Sequence, residues 1–517
     1  MSEQNEINRR DLMRSVALAS ITAAAAAQAS ASLLVDPRPR FEISPWLYMQ
    51  FMEPLGATDG SVEAAWDYDR DEWRKDFVDT VKDLAPGAIR FGGLFSRQYR
   101  WREGVGPVNQ RPAIINYAWG GKESNRVGTH EFVDFCRQVG AEPFYCVNFR
   151  SDGEKRFLST PREGNRSADA AEAADWVSYA CDPDNKERRR NGFAEPYNLK
   201  LWQLGNETSY GDRTFTQDDA IAATIEFARA MRQRDPSLKL IGWGDSGAGG
   251  VLWADELLKR AGEHIDMVAM HMMGQSPQRP DTVLRGLRYE QEPEGAWREL
   301  IEMADRIEAR VAEMEMAVAA QSSKAGIAIT EGHLSLSPHN ANPILYEWLS
   351  AAYHARSLNI YQRHGARVKI ATAADFQGNR WTNTAVMLQT PRGVSYPMPV
   401  GSIARLFGKY NGKHGVDVSR ASSSLDIAAS RTGDKIYLHV ANLEYAKSVE
   451  VGFAVDGMRV TGGRVFEIAP ENPRQYVSQD QPDVFRPREV ALPSGDVPKW
   501  RFPARSVSAV ELGIRPV

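Results

Sequence analysis

Cysteine is scarce in this chain. Cys136, Cys146 and Cys181 are its only three among 517 residues, and none sits in a CxxC pair, which excludes a disulfide scaffold and the common structural zinc motifs. An excess of basic charge is missing too: 63 Lys and Arg stand against 67 Asp and Glu, a formal net charge of −4. A nucleic-acid-binding surface would be basic, so no nucleic-acid partner is expected. No P-loop follows a strand-like run, and neither HExxH nor an EF-hand loop occurs in a chain with nine scattered His. No cofactor and no catalytic metal are therefore expected. What is present is an ordinary globular composition, 42% hydrophobic and 25% charged, in a chain long enough to bury a large core without covalent staples. Thirteen Trp and seventeen Tyr offer flat faces that suit sugars and cores alike.

The N-terminus reads as an address. Asn8-Arg9-Arg10-Asp11-Leu12-Met13-Arg14 is a paired-arginine segment, followed by an Ala-rich stretch from Ser15 to Ala27 and the small-residue sites Ala27-Gln28-Ala29 and Ala29-Ser30-Ala31. The pattern resembles a bacterial twin-arginine export signal, although Asp11 departs from it. Residues 1–31 are expected to be a removable leader. The mature protein is then expected to be periplasmic or secreted, with no stable membrane insertion.

From Pro45 to Asn383, short apolar runs alternate with amphipathic stretches. The runs are Trp46–Phe51, Ala88–Phe91, Glu142–Asn148, Leu199–Leu204, Leu238–Trp243, Ile265–Met270, Gly326–Thr330 and Val368–Ala373. Continuous apolarity marks strands buried on both faces. Eight of them with crossover helices predict an α/β fold, a (β/α)8 barrel over residues 45–389, with a doubly wound open sheet as the alternative. After residue 390 the texture turns to short alternating runs split by turns such as Thr432-Gly433-Asp434. Residues 390–517 are expected to form an antiparallel β-sandwich, joined by a strand from residues 32–44.

Two strand ends carry glutamate. The fourth run leads into Gly205-Asn206-Glu207 and the seventh into Thr330-Glu331-Gly332-His333. In a parallel barrel every strand C-terminus opens on one face, so Glu207 and Glu331 should converge across one mouth. Two facing carboxylates are what glycoside hydrolysis needs: one protonated to give its proton to the leaving oxygen, one ionised to attack the anomeric carbon. Taken singly, Glu207 reads equally as a capping residue and Glu331 as part of a turn.

Further stretches complete a resemblance. They are Ile43-Ser44-Pro45-Trp46 through Phe51-Met52-Glu53, Arg90-Phe91-Gly92-Gly93, Tyr99-Arg100-Trp101, Asn125 with Gly128, Gly140-Ala141-Glu142-Pro143, and Glu195-Pro196-Tyr197-Asn198. Together the chain resembles the α-L-arabinofuranosidases of glycoside hydrolase family 51. The resemblance implies Glu207 as acid/base, Glu331 as nucleophile, Asn206 as binder of the sugar 2-hydroxyl, and Glu53 and Asn125 as further sugar binders. Departures lie beside these residues. The family's His-x-Tyr is His271-Met272-Met273 here, its Asp-Glu-Trp is Thr330-Glu331-Gly332, and its late glutamine is Arg392 ahead of Tyr396-Pro397. The carboxylates are untouched, so the changes bear on the sugar more than on the reaction, and an arginine would suit an acidic or differently branched glycan.

His271 and Arg392 are accordingly candidate substrate-binding residues. His333, Asp245 and Asp375 end strands and read either as pocket groups or as satisfied loop residues. Trp101, Trp119 and Trp381 read as sugar platforms or as loop packing, and Arg188-Arg189-Arg190 as a solvated face. The expected function is a retaining glycoside hydrolase that releases terminal α-L-arabinofuranosyl residues from an oligo- or polysaccharide; self-association is left open. The alternatives are the same chemistry on a β-xyloside, a galactofuranoside or an internal glycan bond, and an exported glycan-binding protein without turnover.

Overall fold

The computed structural model describes residues 32–56, 61–211, 215–247, 250–338, 340–375, 377–388, 393–419 and 422–517. The expected leader, residues 1–31, and the candidate Arg392 lie outside the described residues.

Eight parallel strands run Met49–Met52, Ala88–Phe91, Glu142–Cys146, Leu201–Leu204, Lys239–Trp243, Met267–Gln275, Gly326–Ser335 and Val368–Ala371. Each pairs with the next in chain order. The ring closes where Tyr48 bridges Ala371 and the Ala371 N–H donates to the Leu47 carbonyl at 2.9 Å. Every strand sends a residue inward: Met49, Ala88, Phe144, Leu201, Ile241, Met267, Ala328 and Ile370 form one buried cluster. Their neighbours, such as Phe91, Trp202, Leu240, Val268 and Ile327, pack outward in a second cluster with the helices. Burial on both sides explains why these strands lack polar alternation.

Eight helices surround the ring, Lys75–Leu84, Thr129–Val139, Ala170–Cys181, Gln217–Arg234, Ala254–Ala261, Pro293–Ala320, Ala351–Arg363 and Pro399–Lys409. The last corrects the expected boundary at residue 390. The barrel needs a helix between its seventh and its first, and Pro399–Lys409 fills that place, packed on both Lys75–Leu84 and Ala351–Arg363. Two internal glycines disguise it in the sequence. One of them, Gly401, lies so close to its neighbour that a Cβ would stand 2.1 Å from the Ala385 carbonyl oxygen.

Beyond Lys409, the strands His414–Ser419, Leu425–Thr432, Lys435–Asn442, Val449–Val455, Met458–Ile468, Arg488–Leu492, Lys499–Phe502 and Val507–Pro516 join Ser32–Glu42 in a nine-stranded sheet. It is antiparallel except where Ser32–Val35 runs parallel to Gly452–Val455. The sheet curls around its own core of Leu33, Val35, Leu438, Phe453 and Val510.

Barrel and sheet share an interface. Trp348 Nε1 donates to the Arg505 carbonyl at 2.9 Å and Trp297 Nε1 to the Leu443 carbonyl at 2.7 Å. Phe407 stacks on His439 with ring centroids 4.0 Å apart. At its centre Asp426, 2% exposed, accepts from Arg363 Nη1 at 2.8 Å, Arg356 Nε at 3.3 Å and Asn359 Nδ2 at 2.9 Å. Removing that carboxylate takes the most buried partner from two guanidiniums and leaves them the more exposed Asp305 and Glu308, a loss bounded above by the about 3–5 kcal/mol of a fully broken buried pair. Asp426→Ala should therefore lower the chemical-denaturation midpoint sharply, with Asp426→Asn intermediate.

Candidate active site

The fourth strand ends in a turn that needs glycine at its first position. Gly205 has φ +83°, and a Cβ there would lie 2.6 Å from Thr208 Oγ1 and 3.1 Å from the Phe149 ring. Two residues on, Glu207 itself has φ +54°, a conformation costly outside glycine and held only where surroundings insist. They do insist. Asp152 Oδ1 accepts from the Asn206 N–H at 3.0 Å and from Thr208 Oγ1 at 3.1 Å, while the Tyr210 N–H donates to the Glu207 carbonyl at 2.9 Å.

A bulge aims the other glutamate. Along the seventh strand Ala328 points into the barrel, so strict alternation would send Thr330 inward and Glu331 out. The register against the sixth strand passes from Met270↔Ile329 to His271↔Glu331, leaving Thr330 unpaired. The extra residue inverts the parity and turns Glu331 inward. Gly332 then faces the eighth strand so tightly that a Cβ would meet the Thr372 carbonyl oxygen at 2.3 Å.

The two carboxylates and His271 come together there. Glu207, His271 and Glu331 each place a side-chain oxygen or nitrogen within 4.8 Å of the others. His271 Nδ1 lies 3.2 Å from Glu207 Oε1 and 3.5 Å from Glu331 Oε2. Burial pushes this imidazole down to about 4, so it is uncharged at neutral pH. Beneath them Arg90, fully buried, donates to Glu331 Oε1 at 2.8 Å and to Asn206 Oδ1 at 2.6 Å. Arg97 reaches Glu207 Oε2 only at 3.9 Å; its nearer bonds go to Asp152 at 3.0 Å, Glu154 at 2.7 Å and the Asn206 carbonyl at 2.9 Å.

Burial raises both glutamates above the ordinary carboxylate range, while nearby cations pull each back down. The cations are not equivalent. A guanidinium in direct contact favours the ionised form of Glu331, whereas the more distant Arg97 leaves Glu207 the better proton holder. The cluster's spacing would admit a small cation. Against that stand the adjacent Arg90 and Arg97 charges, and His271 Nε2, which has no partner among the described residues although metal-bound imidazoles are oriented by one.

Above the cluster opens a pocket of about 110 Å³, walled by Leu94, Met273, His333, Asp375, Trp119 and Trp381 around Glu53, Glu207 and Glu331. Glu53 accepts from the Phe95 N–H and is pushed up to about 8, by burial first and the Glu331 charge second. Asn206 spends its Oδ1 on Arg90 and leaves Nδ2 buried without a partner among the described residues. The rings of Trp119 and Trp381 meet edge to face at 5.4 Å, with Arg380 against both.

Two expectations change, those for Asn125 and Arg188, and of the two readings open for Trp101 the structure shows packing. Asn125 does not line this pocket: its Nδ2 donates to the Pro112 carbonyl at 2.7 Å and it borders a separate cavity with Glu63 and Glu123. Trp101 is buried and stacks on Trp176, away from any sugar path. Arg188 is buried too, donating to the carbonyls of Tyr179 and Asp182, both at 2.7 Å. Asp245 is a scaffold residue that accepts from Tyr210 at 2.5 Å, from the His271 N–H at 3.0 Å and from Arg310. Sequence reasoning overlooked Arg90, Arg97 and Asp152. Arg90 carried a signal, being a lone charge inside a strand buried on both faces, which has no cheap structural excuse.

Known proteins match this picture. The family model described as "Alpha-L-arabinofuranosidase 1 domain" fits residues 80–291. A protein of Aspergillus terreus named "Probable alpha-L-arabinofuranosidase C" is 36% identical over 232 residues, 43% of each chain. The "Intracellular exo-alpha-(1->5)-L-arabinofuranosidase 1" of Bacillus subtilis is 32% identical over 47% of this chain and 48% of its own. The match thus spans less than half the length of these relatives. The corresponding enzyme of Halalkalibacterium halodurans aligns over 83% of this chain and 85% of its own at 28% identity. In fold, the chain is similar to an α-L-arabinofuranosidase from Thermotoga maritima (TM-score 0.75, 22% identity) and a family 51 enzyme from Thermotoga petrophila (0.72, 24%), each over 93% of this chain and 99% of the other. Taken with the barrel that carries the two glutamates, these matches make the chain similar, in sequence over residues 80–291 and in fold over most of its length, to the α-L-arabinofuranosidases of glycoside hydrolase family 51.

Proposed function

We propose that the protein hydrolyses terminal α-L-arabinofuranosides with retention of configuration, Glu331 acting as nucleophile and Glu207 as acid/base. The observation that carries this reading is the approach of the two carboxylates to within 4.8 Å at one mouth. Retaining enzymes hold their carboxyl groups about 5–5.5 Å apart, whereas inverting ones leave room for a water at about 6.5–9.5 Å. Glu331, kept ionised by Arg90, attacks the anomeric carbon as Glu207 gives its proton to the departing oxygen. Glu207, now ionised, takes a proton from water, whose oxygen displaces Glu331 and frees the sugar. The orphan Nδ2 of Asn206 is placed to donate to the 2-hydroxyl, and Glu53 to bind another hydroxyl. The relatives' names support an exo action on arabinofuranosyl ends.

Glu331→Ala should cut turnover of a nitrophenyl α-L-arabinofuranoside by at least about 10³-fold while the thermal midpoint holds. Near-normal release would sink the nucleophile role. Glu207→Ala should slow deglycosylation by about 10²–10⁴-fold, with added azide restoring it as a glycosyl azide; a rate indifferent to azide would remove Glu207 from the reaction.

The charges also set the pH profile. Activity needs Glu331 ionised and Glu207 protonated, so kcat/KM falls on the acid side as Glu331 gains a proton and on the alkaline side as Glu207 loses one. Arg90 pulls the Glu331 pKa down. Arg90→Met should therefore move the acid limb to higher pH, which a kcat/KM profile against pH reads directly.

We also propose that residues 1–31 direct export. The paired Arg9 and Arg10 before an Ala-rich stretch support this, while the bacterial relatives above are named intracellular. Among the described residues no helix is long and apolar enough to cross a membrane. Replacing Arg9 and Arg10 with Lys should leave an unprocessed protein in the cytoplasmic fraction of a bacterial host; unchanged periplasmic recovery would count against the proposal.

A further inference from the structure

The upper pocket is unevenly furnished. Where Leu94 and Met273 form its walls it presents only carbon and sulfur. Polarity above the catalytic carboxylates comes mainly from the seventh and eighth strands, through His333 and Asp375 with Asn340 beside them. His333 is 5% and Asp375 3% exposed, and the His333 Nδ1 lies 3.5 Å from Asp375 Oδ2.

Their placement follows from the backbone. The bulge at Thr330 that turns Glu331 inward sends His333, two residues later, to the same face about 7 Å farther along the strand. The ladder sets His271 beside Glu331 and Met273 beside His333, so the nucleophile's row continues directly into the imidazole. Asp375 is fixed from the other side: its N–H donates to the Asn383 carbonyl at 2.9 Å and its Oδ2 accepts from Asn383 Nδ2 at 3.3 Å. A sugar hydroxyl both gives and takes a hydrogen bond, and the pair offers an acceptor oxygen and an imidazole nitrogen to match.

We propose that His333 and Asp375 are the specificity-determining pair for the glycone, binding a hydroxyl other than the 2-hydroxyl, which Asn206 is placed to take. This rests on the furanosidase reading above. With Leu94 and Met273 unable to hydrogen-bond, polar recognition of the remaining hydroxyls falls to this pair and Glu53. The substrate it selects is a furanoside with a free 3- or 5-hydroxyl.

The test compares kcat/KM for a nitrophenyl α-L-arabinofuranoside with its 3-deoxy and 5-deoxy counterparts, in the wild-type protein and in His333→Gln, His333→Ala and Asp375→Asn. The wild type should favour the parent over one deoxy counterpart by about 10²-fold, because the analogue leaves buried polar groups unpaired. The variants should shrink that ratio about tenfold, with His333→Gln keeping more of it than His333→Ala. A purely structural pair would lower all three rates together. A ratio that is unchanged in His333→Gln and Asp375→Asn overturns the proposal, as does a wild type indifferent to both deletions. Should His333→Ala fail to fold, the isosteric variants decide. If the wild type cleaves no furanoside, the activity reading fails separately. The pair is then tested by calorimetry with methyl α-L-arabinofuranoside and its 3-deoxy and 5-deoxy forms, where equal affinity ratios in wild type and His333→Gln overturn it.

Discussion

A guanidinium with no access to water sits at the bottom of the site, and the rest is arranged around it. Arg90 is 0% exposed in the barrel interior, where an unpaired charge would be costly. Its partners are Glu331 Oε1 from the seventh strand and Asn206 Oδ1 from the turn after the fourth, with its guanidinium over the Phe51 ring at 4.8 Å. One side chain therefore ties three strands that are far apart in the ring. It also makes the two glutamates chemically unlike, since only one of them touches it. His271 lies between the pair, its Nδ1 3.2 Å from Glu207 Oε1 and 3.5 Å from Glu331 Oε2.

A second buried arginine does for the turn what the first does for the nucleophile. Arg97 binds Asp152, Glu154 and the Asn206 carbonyl, and Asp152 in turn grips the Asn206 N–H. Arg150, Ser151 and Asp152 all have φ near +50°, as Glu207 does. Two segments in unfavourable backbone conformations thus brace one another through a single ion-paired carboxylate. Such strain persists only where the surroundings over-determine it, and here it fixes the direction of Glu207, the proposed acid/base.

The barrel was legible in the sequence because burial on both faces writes itself as uninterrupted apolar runs, and each of the eight runs contains or overlaps its strand. Glu207 and Glu331 were legible because an acid at the end of such a run stands out. The failures have physical reasons. Helix Pro399–Lys409 carries Gly401 and Gly408, which weaken a helical reading that close packing then overrides. Asn125 looked like a ligand group, but its amide satisfies a loop carbonyl. Arg188 looked solvated as one of three consecutive arginines, yet main-chain carbonyls take up its donors. Arg90 lies within a family-like motif, but a motif records which residues occur and not which of them are buried.

The bulge at Thr330 shows the limit most clearly. Period-two alternation predicts Thr330 inside and Glu331 outside, the opposite of the structure, and a one-residue slip is invisible to composition. It also has a consequence beyond the nucleophile. Once parity is inverted, Glu331 and His333 share the inward face and Gly332 must fit against the Thr372 carbonyl, where no larger residue has room. The proposed nucleophile and the proposed sugar-binding histidine thereby occupy alternate positions of one strand, with a tightly packed glycine between them. Selectivity can then drift at His333 without disturbing the attack geometry, provided the bulge holds, and this gives one fold a fixed chemistry and an adjustable sugar.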